Sequence, residues 1–219
     1  MSVIDVLRGH RVVPVVVLED PAYADDLGAA LVAGGLPVAE ATFRTPAAAA
    51  VLRRLAQRGD LVVGAGTVCT VQQVDLAHES GARFVVSPGL SADVVRRCQA
   101  LDVPVLPGVS TASEIMAALD LGLDTVKFFP AEACGGLSTV KALYAAFPQV
   151  RFVPTGGVTA QSALTYLSHP AVAAVGGSWM VAPGLLAARQ WDEVTARCSA
   201  TVSAVGQAGL TPDLQGTVP

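Results

Sequence analysis

Eight short apolar runs recur along the chain, at residues 12–17, 38–42, 61–64, 83–87, 103–106, 125–129, 151–154 and 172–175. Their centres lie about 20 to 26 residues apart, room for a strand, a turn and a helix of about three turns. The runs are rich in β-branched residues and nearly all apolar rather than alternating, the pattern of parallel strands covered on both faces. Between them lie Ala- and Leu-rich segments with helical spacing, at 21–33, 45–58, 70–80, 91–101, 111–121, 138–147 and 160–167. Their ends are punctuated: Pro21 stands in a first turn, Thr45-Pro46 caps the next segment, and Gly34-Gly35 and Gly81 follow two of the stops. One more helix is expected over 192–205, then a polar, loosely ordered tail over 206–219. Eight strand–helix units predict an α/β fold of the TIM-barrel type: a single (β/α)8 barrel domain over 1–205, eight parallel strands with outer helices. The competing arrangement is an open doubly wound sheet. No G-x-G-x-x-G opens the first helix, so nothing supports a dinucleotide site of that kind.

Two runs break the apolar rule. The second reads V-A-E-A-T-F-R-T, which puts Glu40, Thr42 and Arg44 on one side by the period of two. The sixth reads T-V-K-F-F-P-A-E and puts Lys127 beside Phe129. Inward side chains fill the interior of such a barrel, so a carboxylate and an amine are expected in one enclosed space with a guanidinium near the rim. A purely structural ion pair would leave the same signature. The strand ends add to the picture. The third to fifth runs finish G-A-G-T, S-P-G and P-G-V-S-T, and the last two finish P-T-G-G-V-T and G-G-S-W. Glycines and hydroxyls at the C-terminal rim let backbone N–H groups approach an anion, and the last two loops are where this fold cradles phosphate. A single Gly pair is ordinary turn chemistry; two pairs at those two positions are more specific.

A lysine set among Val126, Phe128 and Phe129 is expected to be poorly solvated, which favours the free amine. A free amine attacks a ketone to give a carbinolamine and then an iminium, a covalent electron sink. Glu40 is suited to moving protons in those steps and in carbon–carbon cleavage, and Arg44 offers a fork for a carboxylate beside the ketone. The inferred reaction class is retro-aldol cleavage of a 2-keto acid that carries a distal phosphate. The phosphate loops alone are equally compatible with a binding barrel that has no catalysis, and the Lys127–Glu40 pair is what separates the two.

The blocks V-V-P-V-V-V, E-A-T-F-R-T, V-G-A-G-T-V, S-P-G, P-G-V-S-T, V-K-F-F-P-A-E, P-T-G-G-V and G-G-S-W resemble one family over roughly residues 5–205. It is the family of 2-keto-3-deoxy-6-phosphogluconate (KDPG) and 4-hydroxy-2-oxoglutarate (KHG) aldolases, which are class I, Schiff-base-forming lyases. The resemblance implies that Lys127 forms the Schiff base and that Glu40 is the general acid/base. It further implies that Arg44 and Thr67 hold the pyruvyl carboxylate, that Pro88 and Phe129 wall the pocket, and that Gly156, Gly157, Gly177 and Ser178 receive the phosphate. Thr155 matches the gluconate-type branch, where a galactonate-type branch tends to have Val. Pyruvate and glyceraldehyde 3-phosphate are the implied products, with no cofactor, and the implied assembly is a homotrimer. Two departures stand out: Ala39 and Ala41 replace bulkier aliphatics and are expected to loosen the wall around Glu40, and Cys134 replaces a small polar residue.

Composition narrows the alternatives. Only 15% of residues are charged and 52% are hydrophobic, so a large core is expected. A net charge of −4 leaves no basic footprint for nucleic acid or an anionic membrane. Arg8, His10 and Arg11 before the first run imitate a secretory leader, but Pro14 interrupts that run, Glu19 and Asp20 follow it, and no A-x-A site appears. The charge-free stretch 152–188 is broken by Pro154, Gly156-Gly157, Pro170 and Pro183 and reads as core, not as a membrane span. Cys69, Cys98, Cys134 and Cys198 show no paired spacing and are expected as buried, reduced thiols of a cytoplasmic protein. His10, His78 and His169 have no ligand-like spacing, so no metal site is expected. Glu132 stands beyond the sixth strand, where loop hydrogen bonding competes with proton transfer as its role.

Overall fold

The computed structural model describes residues 3–210. Its elements in chain order are α1 (Val3–His10), β1 (Val12–Val16), α2 (Ala24–Ala33), β2 (Val38–Thr42), α3 (Ala48–Gln57), β3 (Val62–Gly66), α4 (Val71–Glu79), β4 (Val85–Val86) and α5 (Ala92–Ala100). They continue with β5 (Val105–Leu106), β6 (Gly108–Val109), α6 (Ala112–Asp120), β7 (Thr125–Phe128), α7 (Gly136–Ala146), β8 (Arg151–Pro154), α8 (Ala160–Leu167), β9 (Val175–Gly177), α9 (Pro183–Ala187) and α10 (Trp191–Gln207). The last helix thus runs two residues into the expected tail, and residues 211–219 lie outside the described part.

Every strand pairing is parallel. A six-stranded half-barrel has the order β5-β4-β3-β2-β1-β9, and a three-stranded sheet has the order β6-β7-β8. Strand order follows chain order from β1 to β5, and the final strand lies against the first, with Val12 opposite Val175. A doubly wound sheet reverses its order part-way, and this sheet does not. The expected continuous ring of eight ladders is interrupted at two places. Pro107, just past the fifth run, has no N–H for a ladder and separates β5 from β6, which lies beyond that run. The eighth run enters its strand late, at Val175, and meets β8 only through the isolated bridges Phe152–Val172 and Thr155–Gly176.

The pleat sorts the core into two clusters. One lies between strands and helices and takes Val12, Val16, Ala39, Ala41, Val126, Phe128 and Phe152. The other fills the concave side with Leu7, Val13, Val38, Phe84, Val86, Leu106 and Val153. Ala39 and Ala41 therefore face the helices and do not form the wall around Glu40, because neighbouring strand residues point to opposite faces. Leu7 comes from α1, an unforeseen helix.

Helix starts follow the expected capping chemistry at four places. Thr70, Ser91, Thr111 and Thr159 each accept a hydrogen bond from a first-turn backbone N–H, and Thr111–Glu114 and Thr159–Ser162 are full capping boxes. At α3 the expected Thr cap is absent: the Thr45 hydroxyl donates to Leu18 O (3.3 Å), and the helix begins at Ala48 without a side-chain cap. The thiols also depart in part from expectation. Cys98 and Cys198 are buried, Cys134 is half-buried, and Cys69 is exposed, because it stands in the loop between β3 and the α4 cap. Among the described residues no helix is long and apolar enough to cross a membrane.

Candidate active site

The strands' C-terminal ends surround a cavity of about 320 Å³. Ten of the eleven predicted site residues line it: Arg44, Thr67, Pro88, Lys127, Phe129, Thr155, Gly156, Gly157, Gly177 and Ser178. The eleventh, Glu40, lies beneath its floor and lines with Lys127 a void of about 10 Å³. Sequence reasoning missed Val15, Val17, Val158, Gly176, Val181 and Pro183 in the wall. Val15 and Val17 were within reach of it, since they continue the inward period of Val13. Val181 ends a short 3-10 turn (Trp179–Val181) and Pro183 opens α9, with no strand periodicity to reveal either.

Lys127 and Glu40 reach each other from β7 and β2. Lys127 Nζ donates to Glu40 Oε1 at 3.2 Å, and the two side chains are 6% and 5% exposed. Nζ also stands 5.3 Å from the centre of the Phe129 ring, within cation–π range. Val126 and Phe128, expected around the amine, face the helices in the outer cluster, again by the period of two. The apolar surroundings come instead from other strands: Val13, Phe84, Val86, Leu106 and Val153 line the void under the amine. Thr42, expected on the Glu40 side, is buried and donates to Val16 O (2.9 Å).

Backbone shape sets the rest. Thr67 holds φ +59, a left-handed conformation that costs a β-branched residue about 1 to 3 kcal/mol and occurs here at the cavity wall. Gly156 and Gly157 hold φ +100 and +80, which lets the chain turn against the Phe129 ring and expose its backbone toward the cavity. A Cβ at Gly176 would fall on the Thr155 hydroxyl, so glycine there gives the buried Thr155 its position. Arg44 is exposed at the rim. The positive guanidinium and the two glycine loops thus line one cavity that has a buried amine in it.

Other candidates fall outside. His10, His78 and His169 do not line the cavity, and the His169 ring accepts a hydrogen bond from Ala171 N–H (3.2 Å). Among the described residues no group of His, Cys, Asp and Glu could hold a metal. Trp179 packs over Gly177 and donates to the Thr201 hydroxyl (3.1 Å), and Trp191 packs near Tyr23. Glu132 accepts the Tyr166 hydroxyl at 2.9 Å, the loop hydrogen bond rather than a contact inside the cavity.

Residues 3–197 match the family model "Aldolase: KDPG and KHG aldolase". The chain belongs to that family. This KDPG/KHG-family aldolase is 44% identical over 207 residues to the 2-dehydro-3-deoxy-phosphogluconate aldolase of Treponema pallidum (strain Nichols), covering 94% of this chain and 99% of that one. Among solved structures it is similar to a KDPG aldolase from Legionella pneumophila with pyruvate captured at low pH as a covalent carbinolamine intermediate. There the TM-score is 0.89 at 40% identity, covering 92% of this chain and 98% of that one. It is also similar to the Zymomonas mobilis ZM4 2-keto-3-deoxy-6-phosphogluconate aldolase with 3-phosphoglycerate, with TM-score 0.85 at 45% identity, covering 91% and 95%. An α/β aldolase of this family is thus what the fold and the sequence both describe.

Proposed function

We propose that this aldolase cleaves 2-dehydro-3-deoxy-6-phosphogluconate to pyruvate and glyceraldehyde 3-phosphate through a Schiff base on Lys127, and that it also cleaves 4-hydroxy-2-oxoglutarate to pyruvate and glyoxylate. The buried Lys127 Nζ, 3.2 Å from Glu40 Oε1 at the floor of the cavity, carries the reading. In the first step the amine adds to the C2 carbonyl and Glu40 moves the proton. Loss of water leaves an iminium. Glu40 then takes the proton of the C4 hydroxyl, the C3–C4 bond breaks, and its electron pair enters the iminium to form an enamine. The aldehyde leaves, the enamine is protonated at C3, and water releases pyruvate and the free lysine.

Arg44 and Thr67 hold the C1 carboxylate, with the guanidinium as a charge-assisted donor. Pro88 and Phe129 confine the three-carbon unit. Gly156, Gly157, Gly177 and Ser178 receive the phosphate through backbone N–H groups and a hydroxyl, a cradle without a fixed cation. Thr155 favours the gluconate-type over the galactonate-type substrate.

The same reading closes the two sheets into one (β/α)8 barrel domain over 1–205. Its support is the pairing of β9 with β1, the bridges between β8 and β9, and the single residue between β5 and β6. A homotrimer is the assembly that goes with the family resemblance. A cytoplasmic setting agrees with four free thiols.

Borohydride reduction in the presence of pyruvate, followed by peptide mass mapping, tests the mechanism. A pyruvyl adduct on the peptide that contains Lys127 is expected. No adduct, or one on Lys141, would refute it.

A further inference from the structure

Glu132 lies behind the Gly156–Gly157 turn rather than in front of it. Its segment follows β7 and is tied to the loop after β8 by two backbone hydrogen bonds. Ala131 N–H donates to Thr155 O (2.8 Å) and Glu132 N–H to Gly156 O (3.1 Å). The methylene stem presses on the turn: a Cβ at Gly157 would stand 2.7 Å from Glu132 Cγ and 2.8 Å from its Cβ. The carboxylate is engaged by the Tyr166 hydroxyl, which donates to Oε1 at 2.9 Å. Tyr166 sits on α8, the helix that begins just after this loop, and is 2% exposed. Three pieces of chain therefore meet at one side chain.

Neither Glu132 nor Tyr166 lines the cavity. A carboxylate near an anion-binding turn opposes the anion by Coulomb's law, so Glu132 is badly chosen as a phosphate ligand. It is well chosen as an acceptor with a stem of the right length. The turn it braces needs restraint, because two glycines at positive φ lose more backbone freedom than any other pair. Burial, and the Glu132 carboxylate beside it, push the Tyr166 phenol up, so the hydroxyl remains a donor throughout the working pH range.

We propose that Glu132 and Tyr166 are positioning residues that hold the Gly156–Gly157 turn in its anion-receiving shape, and so set the preference for phosphorylated over unphosphorylated 2-keto acids. The inference rests on the reading of that turn as the phosphate cradle. A braced turn binds without first being ordered; a loose one gives up part of the phosphate interaction to ordering. The groups read as holding the pyruvyl half, Lys127, Glu40, Arg44 and Thr67, share no hydrogen bond with the Glu132 and Tyr166 side chains, which are bonded to each other.

Steady-state kinetics of Tyr166→Phe, Glu132→Ala and Glu132→Gln on KDPG and on KHG test this. Tyr166→Phe and Glu132→Ala are expected to raise KM for KDPG about tenfold with kcat within about twofold, and to leave both constants for KHG near wild type. Retained KHG turnover shows at the same time that each variant is folded. Glu132→Gln keeps an acceptor for Tyr166 and is expected to keep KM for KDPG within about twofold. Equal losses on both substrates overturn the proposal, as does an unchanged KM for KDPG in the first two variants. So does a Gln variant that behaves like Ala. A wild-type enzyme with equal KM for KDPG and KHG would instead refute the cradle reading itself, before any variant is made.

Discussion

Gly66 provides the space that the Glu40 carboxylate occupies. A Cβ on Gly66 would stand 2.5 Å from Glu40 Cγ and 2.6 Å from its Cδ, closer than real side chains approach. Glu40 and Gly66 stand on the paired strands β2 and β3, where Glu40 is opposite Gly64 and Gly66 opposite Thr42, so the Glu40 side chain reaches along the neighbouring strand to Gly66. The general acid/base is thus aimed by an absence of side chain on the neighbouring strand. Gly66→Ala is expected to push Glu40 away from Lys127 and to lower kcat about 100-fold, the usual penalty for a displacement near 1 Å. KM is expected to change little and circular dichroism to remain native. Full activity in this variant would show that Glu40 has room to relax and that Gly66 does not position it.

Lys127→Ala removes the nucleophile and one half of a buried ion pair. Turnover is expected to vanish, since no other lysine lines the cavity. Stability is expected to fall by about 3 to 5 kcal/mol, because Glu40 is left buried without a partner. Adding Glu40→Gln to that variant is expected to recover part of the loss. Urea denaturation of the single and double variants at neutral pH measures it, and an equal midpoint in all three proteins would mean that the pair contributes nothing to folding.

The period of two made the Glu40–Lys127 meeting legible before any coordinates, because a charge in an otherwise apolar strand of a doubly covered sheet has one enclosed face to point at. The same rule, fully applied, also excludes Val126 and Phe128 from the neighbourhood of Lys127 and Ala39 and Ala41 from that of Glu40. The ladder break at Pro107 was written in the sequence as a residue without an N–H, but P-G-V-S-T reads there only as a strand end. Glu132 was legible as a loop hydrogen-bonding candidate, but its partner Tyr166 was not: the two are 34 residues apart and joined by a helix packing that no local pattern encodes. The walls from Val181 and Pro183 were hidden for a related reason: the segment after β9 has neither helical nor strand period until α9 begins.

Arg44 separates binding from chemistry. It is exposed at the rim and stands in the cavity wall, away from the Lys127–Glu40 pair at the floor. Arg44→Ala is expected to raise KM for 2-keto acids roughly 10- to 100-fold, the loss of one hydrogen bond between charged groups. The thermal midpoint is expected to stay within about 2 °C, since an exposed side chain outside any helix cap contributes little to folding. A KM that remains unchanged would take the C1 carboxylate elsewhere.

Alkaline pH tests the outer core. Burial pushes the Cys98 thiol up to about 11, against an opposing backbone hydrogen bond, and pushes Cys198 up to about 12. Both folded values lie above the ordinary 9.0 of the unfolded chain, so the unfolded chain releases its protons first. The stability these thiols contribute is therefore fully present below pH 9 and is lost as pH rises from there toward 11 to 12. Cys98→Ala/Cys198→Ala is expected to begin with a lower urea midpoint, because two buried sulfurs are removed, but to lose less of it between pH 8 and 10.5. Tyr166 titrates upward with the same sign in both proteins and cancels in the comparison. Parallel midpoint curves over that window would mean that the thiols ionise alike in the folded and unfolded chains, and that the helix–strand layer holding Cys98 and Cys198 is open to solvent.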